Sequence, residues 1–229
     1  RLSESERNAV KEIVVNVDPF SSQTKITSLA GIEYFPNLTV LECESNSLAG
    51  LDVTKNKKLQ ELNCDKNNLQ SLDVSQNTEL IKLQCRYNQL PGLDVTKNTA
   101  LTYLDCGGNQ LSSLDITKNT ALTELHCYGN QLTSLDVTKN TALTDLVELA
   151  CGNNPLTSLD VSQNTKLEGL HVYNTQVTAL DVSNKPNLTT LKCFNNNLTS
   201  LNISGDTALK TLSCYQNRLT SLDIGDSSE

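Results

Sequence analysis

The sequence predicts a curved, right-handed solenoid made mostly of parallel β-strands, a fold assigned by convention to the α/β class. Two periodic patterns predict it. The first is a set of eight cysteines whose neighbours lie 21 residues apart, except for one step of 24 and one of 42. The step of 42 is two periods, with Val172 at the empty position. The cysteines are Cys43, Cys64, Cys85, Cys106, Cys127, Cys151, Cys193 and Cys214.

The second pattern is the repetition of the whole coil. The coil that begins at Leu101 reads LTYLDCGGNQLSSLDITKNTA, and the next, from Leu122, reads LTELHCYGNQLTSLDVTKNTA. The shared pattern LxxLxCxxNxL is that of a leucine-rich repeat with Cys in the third apolar position. We count nine coils, with three extra residues near position 146. The coils begin at Leu38, Leu59, Leu80, Leu101, Leu122, Leu143 or Leu146, Leu167, Leu188 and Leu209.

Each coil is predicted to contain one short strand. In the stretch YLDCG after Thr102, apolar and polar residues alternate, which turns Leu104 and Cys106 inward. Nine such strands would stack in parallel and line the concave face. The rest of a coil is too short for a helix and two turns. This rest of the coil is the return path, which leads the chain from one strand to the next. It is therefore expected to be extended or 3₁₀, and it could form a second narrow sheet on the convex side.

The two ends of the chain differ from the middle. Ser3 and Glu6 have capping-box spacing, and apolar residues then recur at helical period, so we predict a helix over about residues 4–15. Residues 1–25 would form a helical cap segment, and 26–224 one solenoid domain. Residues 225–229 would be a disordered tail or a truncation point. Because the C-terminal end does not read as a cap, we expect the natural protein to continue.

Two columns of polar residues recur at the coil period and are interpreted as structural. The asparagine that follows each strand can pair with backbone groups that the turning chain leaves unsatisfied. The aspartate before Val or Ile suits side-chain bonds to the backbone at a bend. A stack of carboxylates could instead bind calcium, and the sequence leaves that alternative open. The aspartates are Asp52, Asp73, Asp94, Asp115, Asp136, Asp160, Asp181 and Asp223.

The even spacing of the cysteines argues against disulfides. Stacked strands lie about 4.8 Å apart with their side chains pointing the same way, whereas a disulfide requires converging Cβ positions. A straight row also cannot offer four tetrahedral ligands to one zinc ion. We therefore predict a ladder of buried free thiols that act as small apolar fillers.

Composition and motifs exclude several classes of function. The 229 residues carry a net charge of −8 and no basic patch, which disfavours nucleic acid as a partner. No apolar run of 18 residues is present, so membrane insertion is not expected. No phosphate loop, Ser-His-Asp arrangement or HExxH pattern is present, and His126 and the adjacent Cys127 would point to opposite faces of a strand. We expect a monomer that is not an enzyme and that needs no cofactor or metal.

Two stretches carry a family resemblance. The segment ITSLAGIEYFPNLTVL resembles the repeats of bacterial internalins, and the tandem LxxLxCxxNxLTSLDVTKNTA resembles the cysteine ladder of the internalin J type of bacterial surface protein. The resemblance covers residues 26–224. It implies a domain that is secreted or displayed on a bacterial cell surface, with recognition on the concave face and no catalytic motif.

Outward residues of the predicted concave strands form the candidate partner-binding site, because the scaffold does not dictate them. Aromatic residues collect there, and both histidines of the chain lie in the same column. Aromatic side chains anchor protein interfaces and also stack on sugars. Tyr and Phe also simply suit strand positions, which is the structural alternative. The candidate residues are Tyr103, His126, Tyr128, His171, Tyr173, Phe194 and Tyr215.

These observations favour a recognition module that binds a protein or a carbohydrate on another cell or surface, with a role in adhesion. The alternative is a passive structural spacer that presents another domain. A calcium-dependent repeat is a third hypothesis.

Overall fold

A computed structural model describes residues 2–18, 20, 22–143 and 149–223. Within that part of the chain, one helix, α1 (Glu4–Ala9), precedes the strands, and a 3₁₀ turn covers Ile32–Tyr34. The strands are β1 (Glu12–Val14), β2 (Val40–Glu42), β3 (Glu61–Asn63), β4 (Lys82–Gln84), β5 (Tyr103–Asp105), β6 (Glu124–His126), β7 (Leu149–Ala150), β8 (Gly169–His171), β9 (Ala179–Asp181), β10 (Thr190–Lys192), β11 (Ser200–Asn202) and β12 (Thr211–Ser213).

Ten of these strands form one parallel sheet, in the order β1, β2, β3, β4, β5, β6, β7, β8, β10 and β12. Each coil repeats the one before it in register, so that Leu104 of β5 pairs with Leu125 of β6. Leu125 in turn pairs with Leu149 of β7, which places the longer coil between these two strands. The leucine-rich-repeat solenoid predicted from the period is confirmed. We call the solvent-facing side of this sheet the inner curve.

The sixth coil begins at Leu143. Leu143 is buried, and its N–H donates to the carbonyl oxygen of Asn140 at 3.1 Å. Leu122 makes the same bond to Asn119 at the start of the coil before it. The alternative start at Leu146 lies outside the described residues.

The N-terminal helix is shorter than predicted. The capping box is present, with the Ser3 side chain accepting from the Glu6 N–H, but α1 ends at Ala9. The predicted extension to about residue 15 is wrong, because Glu12–Val14 form β1 and pair with β2. Without β1, the backbone groups of β2 would form an open sheet edge, and pairing satisfies them. The main sheet therefore has one strand more than the nine that the coils predict.

The return path contains a second sheet in only one part of the described chain. It consists of the two parallel strands β9 and β11, so the predicted convex sheet forms only there. Elsewhere, side-chain bonds hold the return path. The Asp94 carboxylate accepts from the Thr96 N–H at 2.9 Å and from the Thr96 hydroxyl at 2.6 Å. This Asx turn recurs along the aspartate column and confirms the prediction that these residues stabilise a bend.

Leucines and cysteines fill the core between the sheet and the return path. All eight cysteines are free; seven are buried, and Cys214 is partly exposed. Burial raises the pKa of the Cys43 and Cys151 thiols to about 12, so these groups are uncharged at neutral pH. The predicted ladder of buried thiols is confirmed, with Cys214 at its less covered end.

Two asparagine ladders satisfy buried backbone groups. In the predicted ladder, the Asn88 amide donates to the carbonyl oxygens of Cys64 and Cys85, both at 3.0 Å, and its Oδ1 accepts from the Leu69 N–H. A second ladder was not predicted. Its fully buried amides donate to carbonyl oxygens of the preceding coil, as Asn77 does to Val53 at 2.9 Å. Its members are Asn56, Asn77, Asn98, Asn119, Asn140 and Asn164.

Candidate functional site

Outward side chains of the main sheet, and of the residues that follow its strands, form two clusters on the inner curve. The residues predicted as the candidate site divide between them. Tyr103, His126 and Tyr128 lie in a central cluster around β5 and β6. The other four lie in a C-terminal cluster on the coils of β8, β10 and β12: His171, Tyr173, Phe194 and Tyr215.

Three rings of the C-terminal cluster form a parallel stack, which we call the aromatic stack. The ring centroids of Tyr173 and Phe194 lie 4.8 Å apart with an interplanar angle of 5°. Phe194 and Tyr215 are also 4.8 Å apart, at 3°. The spacing equals the separation of neighbouring strands, because the three residues occupy one position in successive coils. Tyr215 is 59% exposed, and the other two rings are half-buried.

Glycines beneath the tyrosine rings let them lie flat over the preceding coil. A Cβ atom on Gly152 would lie 3.0 Å from the Tyr173 ring and 2.9 Å from the Tyr173 carbonyl oxygen. A Cβ atom on Gly107 would lie 2.6 Å from the Tyr128 ring. The orientation of these rings therefore depends on a glycine one coil earlier as well as on the aromatic residue itself.

An exposed asparagine ladder runs beside the aromatic stack. The Asn174 amide donates to Oδ1 of Asn153, and the Asn195 amide donates to Oδ1 of Asn174, both at 2.6 Å. The backbone φ angles of the three residues are 53° to 54°, in the left-handed region that asparagine tolerates better than most residues. In the sequence, an asparagine lies two positions after each of Cys151, Val172 and Cys193, and this ladder was not predicted.

The central cluster is built around a buried ion-pair network. Arg86 Nε lies 2.7 Å from Asp65 Oδ2, and Arg86 Nη1 lies 3.6 Å from Asp105 Oδ2. Both carboxylates are at most 1% exposed. Burial raises the pKa of Asp65 to about 6, although Arg86 opposes the shift. Burial also raises the pKa of Asp105. Sequence reasoning did not identify this network, although acidic and basic residues adjoin in the column after the cysteines.

Aromatic and charged groups surround this network. The Tyr103 ring stacks on His126 with centroids 5.9 Å apart, and Lys82 Nζ lies 5.4 Å from the Tyr103 centroid. His126 Nε2 lies 2.9 Å from a Glu124 carboxylate oxygen. Burial, together with the nearby Asp105 charge, raises the pKa of Tyr103 to about 12. Tyr128 makes an edge contact with Tyr87 at 6.3 Å.

The thiol beside His126 is not activated for catalysis. Cys127, beside His126, is fully buried, and burial raises the pKa of its thiol well above its usual range, so it is a poor nucleophile. Among the described residues, no group of three or more His, Cys, Asp or Glu side chains is placed to hold a metal ion. Nor does the described part of the chain contain a helix long and apolar enough to cross a membrane.

Comparison with known proteins agrees with the repeat pattern and the thiol ladder. The family described as Leucine Rich repeats (2 copies) matches residues 120–164. The solved functional domain of InlJ from Listeria monocytogenes, described as including a cysteine ladder, superimposes with a TM-score of 0.91 at 39% identity. The chain is a leucine-rich-repeat protein with a cysteine ladder. The match covers 97% of this leucine-rich-repeat chain and 48% of the InlJ chain.

Two further solved structures resemble this leucine-rich-repeat protein. An LRR protein of Leptospira interrogans matches with a TM-score of 0.82 and 26% identity over 95% of this chain and 57% of its own. The chain thus spans about half the length of the InlJ and Leptospira chains. The ectodomain of the Arabidopsis thaliana receptor kinase GASSHO1/SCHENGEN3, in complex with Casparian strip integrity factor 2, matches at 0.70 and 25% identity over 86% of this chain and 27% of its own. No curated protein matches by sequence.

Proposed function

We propose that the chain is a non-enzymatic recognition module of a secreted or surface-displayed bacterial protein and that its inner curve binds a protein or glycan partner. The observation that carries the proposal is the aromatic stack of Tyr173, Phe194 and Tyr215. Contiguous aromatic rings on a solvent-facing surface usually mark a contact site.

The scaffold itself does not require these rings. Their position, directly after the cysteine or Val172, is occupied in the early coils by Glu44, Asp65 and Arg86. Those coils form the same strands and the same parallel pairing. Strand propensity alone therefore gives no reason for three aromatic residues in successive coils.

Solved structures similar to the chain support the kind of function. The InlJ functional domain and the chain share the same ladder architecture, and the plant receptor ectodomain carries a bound factor in its solved complex. A role in adhesion follows from the internalin likeness and is part of the proposal.

A binding experiment with two matched variants tests the proposal. The immobilised chain would be exposed to solubilised cell-surface proteins and, in parallel, to a glycan array. We expect Tyr173→Ala to weaken capture without lowering the melting temperature. The control is Tyr34→Ala, which removes a tyrosine that is 61% exposed and far from the stack in sequence. If Tyr173→Ala captures as much partner as the natural chain does, the result would instead favour a passive spacer.

A further inference from the structure

We propose that the aromatic stack recognises an acidic segment of a protein partner through the edges of its rings, an inference that rests on the proposed function of the inner curve. Three observations carry it: both faces of the middle ring are covered, the outward strand positions beside the stack hold a lysine and no carboxylate, and an amide ladder borders the stack.

The middle ring of the stack is covered on both faces by other rings. Phe194 lies between Tyr173 and Tyr215, with both centroid distances 4.8 Å and interplanar angles of 5° and 3°. Tyr173 in turn lies over Gly152. A sugar ring stacks on an aromatic face, and both faces of Phe194 are already covered. A partner that approaches the middle of the stack therefore meets ring edges.

Ring edges and nearby side chains give this part of the inner curve a positive character. The edge of an aromatic ring carries partial positive charge, and its face carries partial negative charge. The outward positions of β8, β10 and β12 include Lys192 and no carboxylate, although the whole chain carries a net charge of −8. By contrast, Glu12, Glu42 and Glu61 lie on β1, β2 and β3. Charge complementarity thus favours a carboxylate-bearing partner at the stack.

The exposed amides provide directional contacts for such a partner. Each of Asn174 and Asn195 uses one N–H in the ladder at 2.6 Å, and an asparagine amide has two. The second N–H can donate to a carboxylate or to a peptide carbonyl oxygen. An aromatic centre bordered by polar groups is the usual composition of a protein interface. An acidic polypeptide satisfies the ring edges, Lys192 and the amides together.

A defined pair of probes tests the inference on the full chain. The first is a fluorescent peptide that alternates Asp or Glu with Leu, and the second is its Asn and Gln analogue. We expect fluorescence anisotropy to report roughly tenfold tighter binding of the acidic peptide, with the difference shrinking as salt is added. Lys192→Gln should weaken binding. The matched control Lys118→Gln, an exposed lysine of the return path, should leave binding unchanged.

The rings are tested with a pair of variants at Phe194. Phe194→Leu keeps an apolar side chain but removes the ring, and it should weaken binding of the acidic peptide. Phe194→Tyr keeps the stack and should bind like the natural chain. Circular dichroism and the melting temperature verify that each variant is folded, and Lys192→Gln provides a second test that leaves the stack intact.

Three results would overturn the inference. They are equal binding of the two peptides, equal effects of Lys192→Gln and Lys118→Gln, and a Phe194-dependent response to neutral or anionic oligosaccharides but not to the acidic peptide. If Tyr173→Ala still abolished capture of a natural partner, the proposed function would survive and only the acidic-protein inference would fail. If capture did not depend on the inner curve, both would fail.

Discussion

The side-chain amide of Asn109 donates to the carbonyl oxygen of Cys85, in the preceding coil, at 3.0 Å, and to that of Cys106, in its own coil, at the same distance. Its Oδ1 accepts from the Leu90 N–H at 3.1 Å. One side chain thus satisfies three buried backbone groups and joins two coils. Stacking of the solenoid depends on these bonds as well as on apolar burial.

Replacing Asn109 with alanine should destabilise the protein. The change leaves buried carbonyl and N–H groups without partners, and each such group costs about 1–3 kcal/mol. We expect the unfolding free energy measured by urea denaturation to fall by about 3 kcal/mol. The exposed neighbour Gln110→Ala is the control and should change it little. Equal effects of the two variants would contradict the role given to the ladder.

The cysteines should differ sharply in their reactivity. Cys214 is the one partly exposed thiol, whereas the other seven are buried. With a thiol-reactive dye and the native protein, we expect one thiol to react first and the others to react roughly tenfold or more slowly. Cys214→Ala should remove the fast phase. Rapid labelling of all eight thiols, or a mass that shows them bridged in pairs, would contradict the buried ladder.

Stability should fall between acidic and neutral pH because of Asp65. Its pKa is raised from 3.8 to about 6 in the folded protein, so folding favours the protonated carboxyl. The stability that this group contributes is complete below about pH 4 and is lost as the pH rises through about 6. The size of the shift corresponds to about 3 kcal/mol. The pKa of Asp105 is also raised, and it acts in the same direction.

The variant Asp65→Asn isolates this effect. Urea unfolding at a series of pH values should show a smaller decline toward neutral pH in the variant than in the natural chain. The Asx-turn aspartates do not interfere, because their pKa values are lowered by the Thr or Ser they bind, as in Asp94 with Thr96. The stability that these aspartates contribute to the folded protein is lost only at lower pH. An identical pH profile in Asp65→Asn would contradict the assignment.

Calcium removal should leave the protein unchanged. Ca²⁺ takes about 6–8 oxygen ligands, whereas one oxygen of each paired aspartate, such as Asp94, already accepts bonds within its own turn. We expect the same melting temperature by scanning calorimetry in EGTA and in calcium chloride. A melting temperature that falls in EGTA and returns with calcium would favour the calcium-dependent repeat.

The sequence predicted those parts of the structure that repeat with the coil. Leu104 and Cys106 face inward, and Asn88 pairs with the backbone, because a period of 21 residues places equivalent side chains in equivalent surroundings. Strand β1 was missed. Glu12–Val14 fits both a helix and a strand locally, and pairing with β2, distant in sequence, decides between them.

The sequence predicts which residues share a column on the candidate face, but it does not predict how their side chains are arranged. The column position of Tyr173, Phe194 and Tyr215 follows from the period, but the parallel stack depends on the rotamers of neighbouring side chains and on Gly152. The buried position of Asp105 beside Arg86 likewise depends on contacts across coils. Such contacts are absent from any single coil, so local patterns cannot specify them.

The pairing of Leu125 with Leu149 spans a coil that is longer than its neighbours, yet Leu149 and Leu170 then pair as elsewhere. Adding residues to a coil between two strands therefore does not shift the strands that follow. The register of the strands that follow is thus independent of the length of the coil before β7.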